Sequence, residues 1–283
     1  MTAPKRFVAE DGTELAYRTA GEGPAVLCLP GLTRNMADFE ALAQRLEQRV
    51  LVVRMDYRGR GASGRADPKS YTVAQEARDA CALADHLGLQ RFAVIGTSRG
   101  GLIAMLLAAT VPGRLSGAVL NDIGPEIAPE GLETIKEYIG TRPGYRTHAE
   151  AGEAMARMMA DRFPGVSAER WRRWAEGYWT AGPDGLELSY DPRLREAVLA
   201  AAEAPPVDAW PLFDSLAGKP LVLVRGARSD ILAKATADEM ARRRPDMIRV
   251  ELANRGHVPF LDESEALAAI DRWLDLLVGG TPE

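Results

Sequence analysis

Metal-binding and disulfide-forming side chains are scarce in this chain: 2 cysteines and 3 histidines in 283 residues. Cys28 falls in an apolar strand-like run and Cys81 on the apolar side of a helix, so both read as small core residues. Neither a disulfide framework nor a zinc site can be built from such a set. Aromatics are also few, at 6%. Positive charge is not in excess: the formal net charge is −5, which offers no general attraction to nucleic acid or to an anionic membrane. No apolar run approaches the roughly 18 residues needed to cross a bilayer. The start, Met1-Thr2-Ala3-Pro4-Lys5-Arg6, leads into strand-like sequence without the apolar core of a signal peptide. The expectation is a cytoplasmic protein with a small-molecule partner, its length suiting one large domain or one domain carrying an insertion.

What is present is a rhythm. Residues 6–20 alternate apolar and polar around Asp11-Gly12, a hairpin pattern. A buried strand at 25–29 ends in Pro30-Gly31-Leu32-Thr33; a helix at 36–46 and a strand at 49–55 follow, then a glycine-rich loop from Asp56 to Gly64. Thr72 and Gln75 form a capping box, and Ala77, Ala80, Cys81 and Ala84 share the face of the helix it opens. Strands at 92–95 and 115–120 flank a helix at 102–109. Strand–helix alternation of this kind predicts a mostly parallel sheet covered on both faces.

The alternation stops near Pro125 and resumes near Lys219. The intervening stretch reads as helical: Thr147 with Glu150 opens one helix, on which Met155, Met158 and Met159 are expected to share a face. Trp171, Trp174, Tyr178 and Trp179 are placed on another, and Pro205-Pro206 and Trp210-Pro211 mark the way out. The predicted division is a core from 1–124 and 213–283 interrupted by a helical insertion at 125–212, with strands at 220–225 and 248–252 and helices at 234–243 and 263–277 completing the core.

Chemistry gathers at Gly96-Thr97-Ser98-Arg99-Gly100-Gly101, between a strand and a helix. A turn that sharp exposes the Ser98 hydroxyl at the C-terminal edge of a sheet, and the glycines keep side chains out of its way. A serine hydroxyl is a weak nucleophile and needs a base in hydrogen-bond reach. His257 follows the last strand and suits that role; Asp230 follows the strand before it and is expected to hold the far nitrogen of His257, with Asp122, at the end of the 115–120 strand, as the alternative acid. His86, ahead of Leu87-Gly88, reads as a surface helix residue, and His148, just inside a capped helix, as a solvated one. Arg99 is read as pairing with a buried acid such as Asp122, or else as binding a substrate carboxylate.

With Gly96-x-Ser98-x-Gly100, Asp230 and His257 in this order, and Asp56-x-Arg58-Gly59-x-Gly61-x-Ser63 earlier, the chain resembles the α/β-hydrolase superfamily over essentially its whole length. The resemblance implies an α/β fold: a mostly parallel α/β-hydrolase sheet flanked by helices, with a helical cap inserted after the sixth strand. It implies an oxyanion hole from the backbone N–H groups of Leu32 and Arg99, although Pro30-Gly31 stands where a His-Gly often precedes that hole. A serine hydrolase of small esters, lactones or related acyl compounds, needing no metal or organic cofactor, is the expected activity, with Trp171, Trp174 and Trp179 as possible pocket residues under the cap. Cleavage of a carbon–carbon bond, a cofactor-free lyase or peroxidase reaction, and ligand sensing with slow turnover are alternatives on the same fold.

Overall fold

The computed structural model describes residues 3–205 and 207–279. Met1 and Thr2, and Pro206 at the predicted way out of the insertion, lie outside the described residues. The chain opens with an antiparallel hairpin, β1 (Lys5–Val8) and β2 (Glu14–Ala20). Next come β3 (Ala25–Leu29), a 3₁₀ turn at Met36–Phe39 running into α1 (Glu40–Leu46), and β4 (Leu51–Met55). The Thr72 hydroxyl accepts from Gln75 N, 3.1 Å away, and opens α2 (Val73–His86) as the capping pattern predicts. Then follow β5 (Phe92–Thr97), α3 (Arg99–Thr110) and β6 (Leu115–Asn121).

Between β6 and the next sheet strand lie α4 (Pro129–Tyr138), α5 (His148–Met158), α6 (Ala168–Glu176), a hairpin of β7 (Trp179–Gly182) and β8 (Gly185–Leu188), α7 (Leu194–Glu203) and α8 (Trp210–Asp214). The sheet then resumes with β9 (Leu221–Gly226), α9 (Lys234–Arg243), β10 (Ile248–Leu252) and α10 (Ser264–Gly279).

Eight strands pair in the order β1-β2-β4-β3-β5-β6-β9-β10, antiparallel at β1–β2 and β2–β4 and parallel from β4 onward. Because side chains alternate across a strand, the fully buried strands split into two cores. Leu27, Leu29, Val94, Leu120 and Leu223 face Ala80, Leu83, Ile103, Leu107 and Met240 of α2, α3 and α9. Val26, Cys28, Ile95, Val119 and Val224 face Leu42 and Leu46 of α1 and Ile270 and Trp273 of α10. Each such aliphatic side chain contributes about 1.5–3 kcal/mol on burial, which fixes the strand ends as a rigid edge for chemistry.

Two readings of the insertion need correction. The aromatic helix ends at Glu176 with Gly177 after it, so Trp179 belongs to a strand whose pairing with β8 overrides helical spacing. Met158, at the last position of α5, is 72% exposed, so Met155 is buried without it. Among the described residues no helix is long and apolar enough to cross a membrane.

Candidate functional site

The turn between β5 and α3 shows why its sequence is glycine-rich. A Cβ on Gly96 would stand 2.4 Å from the Gly100 carbonyl carbon, one on Gly100 2.0 Å from Leu29 O, and one on Gly101 2.2 Å from Ile123 Cγ2. Strand and helix are therefore packed backbone to backbone at Gly96 and Gly100, and Gly101 makes room for the Ile123 side chain. Ser98 itself sits at φ 49°, ψ −112°, a conformation that costs a non-glycine residue about 1–3 kcal/mol. The turn is held by Ser98 N donating to Asn121 O at 2.9 Å and by Gly101 N donating to Ser98 O at 2.8 Å.

A continuous hydrogen-bonded line runs from the serine. His257 Nε2 is 3.0 Å from Ser98 Oγ, and His257 Nδ1 is 2.8 Å from Asp122 Oδ2. The second carboxylate oxygen of Asp122 accepts from Gly226 N at 2.8 Å, and its own N donates to Val224 O at 2.8 Å. Asp122 is fully buried, with φ 56°. Asn121 donates to Thr97 Oγ1 at 3.2 Å and to Pro259 O at 3.0 Å, tying the serine strand to the histidine loop.

The expectation that Asp230 orients His257 is thus corrected: the carboxylate on the imidazole is Asp122. The turns after the two strands are the reason. Asp122, the first residue after β6, is held at φ 56° by its bonds to Val224 O and Gly226 N with its carboxylate on His257. The loop after β9 is turned by Ser229, whose N donates to Gly226 O and whose hydroxyl accepts from Ile231 N and Leu232 N. Asp230 is carried towards the insertion, where Arg162 Nη1 donates to its Oδ2 at 2.6 Å.

Arg99 is structural in its pairing, but not with Asp122. Its Nε donates to Glu76, and its Nη2 to Tyr71 O at 2.9 Å. Glu76 is fully buried and also lies 2.8 Å from Arg60 Nη2, so it is the acid that balances these guanidinium groups. Arg99 begins α3 directly after Ser98, and Gly31, which precedes Leu32, lies against Ser98: a Cβ there would be 4.0 Å from Ser98 Cβ. Leu32 itself packs with Tyr71, Ile139 and Tyr190. His86 is stacked on Phe7 with its Nε2 3.2 Å from Tyr17 Oη, and His148 Nε2 is 3.0 Å from Trp179 O; neither approaches Ser98.

Trp171 is 2% exposed in the insertion's own core, against Phe163, Trp174 and Phe260. Trp179 packs on Tyr145 and Tyr178. Trp174 reaches the loop after β3, with the Arg34 guanidinium 3.9 Å above its ring. Sequence reading missed that loop's grip on the insertion: Thr33 Oγ1 donates to Tyr178 Oη at 3.0 Å, and Asn35 Nδ2 donates to Gly177 O at 2.6 Å. No periodicity signals such contacts, because their partners lie far apart in the chain. Among the described residues no group of three or more His, Cys, Asp or Glu is placed to hold a metal ion.

A family model described as the alpha/beta hydrolase family matches residues 26–270. The chain is 35% identical over 268 residues to a 3-hydroxybutyrate-oligomer hydrolase of Cupriavidus necator, covering 90% of this chain and 91% of that one. It is 28% identical over 263 residues to a 2-(acetamidomethylene)succinate hydrolase of Mesorhizobium japonicum, covering 92% and 91%. A crystal structure of an alpha/beta hydrolase from Novosphingobium aromaticivorans superposes with a TM-score of 0.91 at 43% identity, covering 97% of this chain and 99% of that one.

Proposed function

Since the chain belongs to the alpha/beta hydrolase family, we propose that it is a serine hydrolase of small acyl compounds that carry a carboxylate. The observation that carries the reading is the line Ser98 Oγ–His257–Asp122, with both links at hydrogen-bond distance. In the proposed reaction Ser98 Oγ attacks the substrate carbonyl while His257 Nε2 takes its proton; Asp122 fixes the imidazole tautomer and stabilises the imidazolium. The backbone N–H groups of Leu32 and Arg99 receive the developing oxyanion, a contribution of about 3–4 kcal/mol per well-placed donor. His257 returns the proton to the leaving group, and water, activated by the same imidazole, releases the acid from the acyl-enzyme. The stretch 125–212 serves as a cap over this edge.

Support for the substrate class comes from relatives at two levels of identity. Both are named as hydrolases, and 3-hydroxybutyrate oligomers and 2-(acetamidomethylene)succinate are both carboxylates. The higher identity belongs to the former, which favours an ester bond over an amide. A serine-directed fluorophosphonate, followed by peptide mass spectrometry, tests the nucleophile: labelling of Ser98, abolished in Ser98→Ala and slowed in His257→Ala, is the expected outcome. Unlabelled protein, or label on another serine, overturns the reading.

A further inference from the structure

Resting on that reading of the site, we propose that Arg34 is its specificity-determining residue, binding the carboxylate of the substrate through the guanidinium edge that faces away from Asp38. The position is set by the loop after β3. Arg34 N donates to Gly31 O at 3.1 Å, and a Cβ built on Gly31 would lie 3.3 Å from Arg34 Cγ and 4.0 Å from Ser98 Cβ. The arginine and the serine thus flank the same glycine.

The guanidinium is held in one orientation. Arg34 Nε donates to Asp38 Oδ2 at 2.7 Å and Nη2 to the other oxygen of the same carboxylate. Trp174 and Tyr178 from the insertion lie 3.9 and 4.9 Å from its Cζ. With one edge on a carboxylate and a stacked aromatic pair packed against it, the group is held in place. Arg34 is 7% exposed, yet its Nη1 finds no hydrogen-bond acceptor among the described residues.

Buried arginines elsewhere are treated both ways: Arg54 Nε and Arg60 Nη2 also lack a hydrogen-bond acceptor among the described residues, whereas Arg58 has all its nitrogens satisfied. Arg58, fully buried, places Nε and Nη2 on Asp79 and Nη1 on Asp11 and Ser70. A charged donor left without an acceptor in the interior is costly, and a planar pair of N–H bonds on a carboxylate is the arrangement that best relieves it. The covalent geometry of arginine puts Nη1 on the side opposite the Nε–Nη2 edge that Asp38 occupies. A substrate carboxylate arriving there meets Nη1 and the second hydrogen of Nη2. Asp38 thereby acts as the strut that aims the group.

The test measures inhibition of 4-nitrophenyl acetate hydrolysis by 3-hydroxybutyrate and succinate, each against its neutral amide, in the wild type, Arg34→Gln and Arg34→Lys. In the wild type each carboxylate should inhibit at a concentration at least about tenfold below that of its amide. That ratio should collapse towards one in Arg34→Gln and be partly kept in Arg34→Lys, whose ammonium carries the charge without the fork. A wild type without preference for the carboxylates, or an equal ratio in wild type and Arg34→Gln, overturns the proposal. Should Arg34→Gln fail to fold, Arg34→Lys decides alone: a fall of about threefold or more in the ratio supports the subsite, and an unchanged ratio overturns it. If 4-nitrophenyl acetate is not turned over and Ser98 takes no label, the catalytic reading has failed. Calorimetric titration of 3-hydroxybutyrate into the wild type and Arg34→Gln then settles the subsite separately, equal affinities or no binding counting against it.

Discussion

Asp122 and Asp230 both follow strands of the parallel half of the sheet, at the same edge, and the chain uses them in opposite ways. The first is fully buried, φ-strained and spent on two tasks, accepting from Gly226 N and from His257. The second is partly exposed and pairs with Arg162, a residue of the inserted stretch. One strand position separates the two, β6 being adjacent to β5 and β9 not. Being at the right edge is therefore not enough; the turn that follows each strand aims one carboxylate at His257 and the other at Arg162.

The contrast can be broken most directly by exchanging amide for carboxylate at each site. Asp122→Asn should lower kcat on a wild-type ester substrate by about 10⁴-fold, because the imidazole is left in the wrong tautomer, while Asp230→Asn should stay within about threefold, in keeping with a half-exposed ion pair. Steady-state kinetics on the two variants checks this, and the opposite ranking would return the acid's role to Asp230. Ser98→Ala sets the floor, with a loss of 10⁴-fold or more.

A third strand-end aspartate, Asp56 after β4, sharpens the comparison in terms of pH. It is buried beside the backbone N–H groups of Met36 and Ala62, and desolvation pushes its carboxyl from 3.8 up to about 6. A carboxyl whose folded value is raised favours the folded state below its unfolded value, and that contribution is lost as pH rises through the folded one. The stability advantage of the wild type over Asp56→Asn should accordingly shrink between pH 4 and pH 7 by up to about 3 kcal/mol. Urea unfolding of both proteins across that range measures it, and a pH-independent difference would contradict the assignment.

The smallest effect belongs to the Arg162–Asp230 pair. With 43% of the arginine and 17% of the aspartate side chain exposed, a double-mutant cycle of Arg162→Gln and Asp230→Asn should give a coupling of about 1 kcal/mol or less. A coupling well above that would make the pair a fastening of the insertion to the sheet.

These contrasts also mark what could be read from the chain. The two cores were legible because buried strands and helical faces have their own periods, as in Val26, Leu27, Cys28 and Leu29 alternating between clusters. The serine turn was legible because close packing, of backbone at 96 and 100 and of the Ile123 side chain at 101, leaves no room for a Cβ. The carboxylate on His257 was not, since a spacing that brings His257 back to the edge is equally compatible with Asp122 and Asp230, and only the folded turns after β6 and β9 separate them. Nor was Arg99's partner: nothing in the sequence marks Glu76, in the first turn of α2, as buried, and its burial follows from how α2 docks on α3. Trp179 was misplaced because helical spacing continues on paper past Gly177, where the chain turns into a hairpin.

Phe260 lies three positions after His257 and is wedged against Phe163 and Trp171, at ring separations of 5.6 and 5.7 Å. The loop that carries His257 is thus anchored in part by aromatic rings belonging to the inserted stretch, while Ser98 is anchored by the sheet. On heating, the two halves of the proposed machinery would be released by different events. Turnover should fade at a lower temperature than the far-ultraviolet signal of the sheet, and a tryptophan fluorescence change should accompany the first loss and not the second.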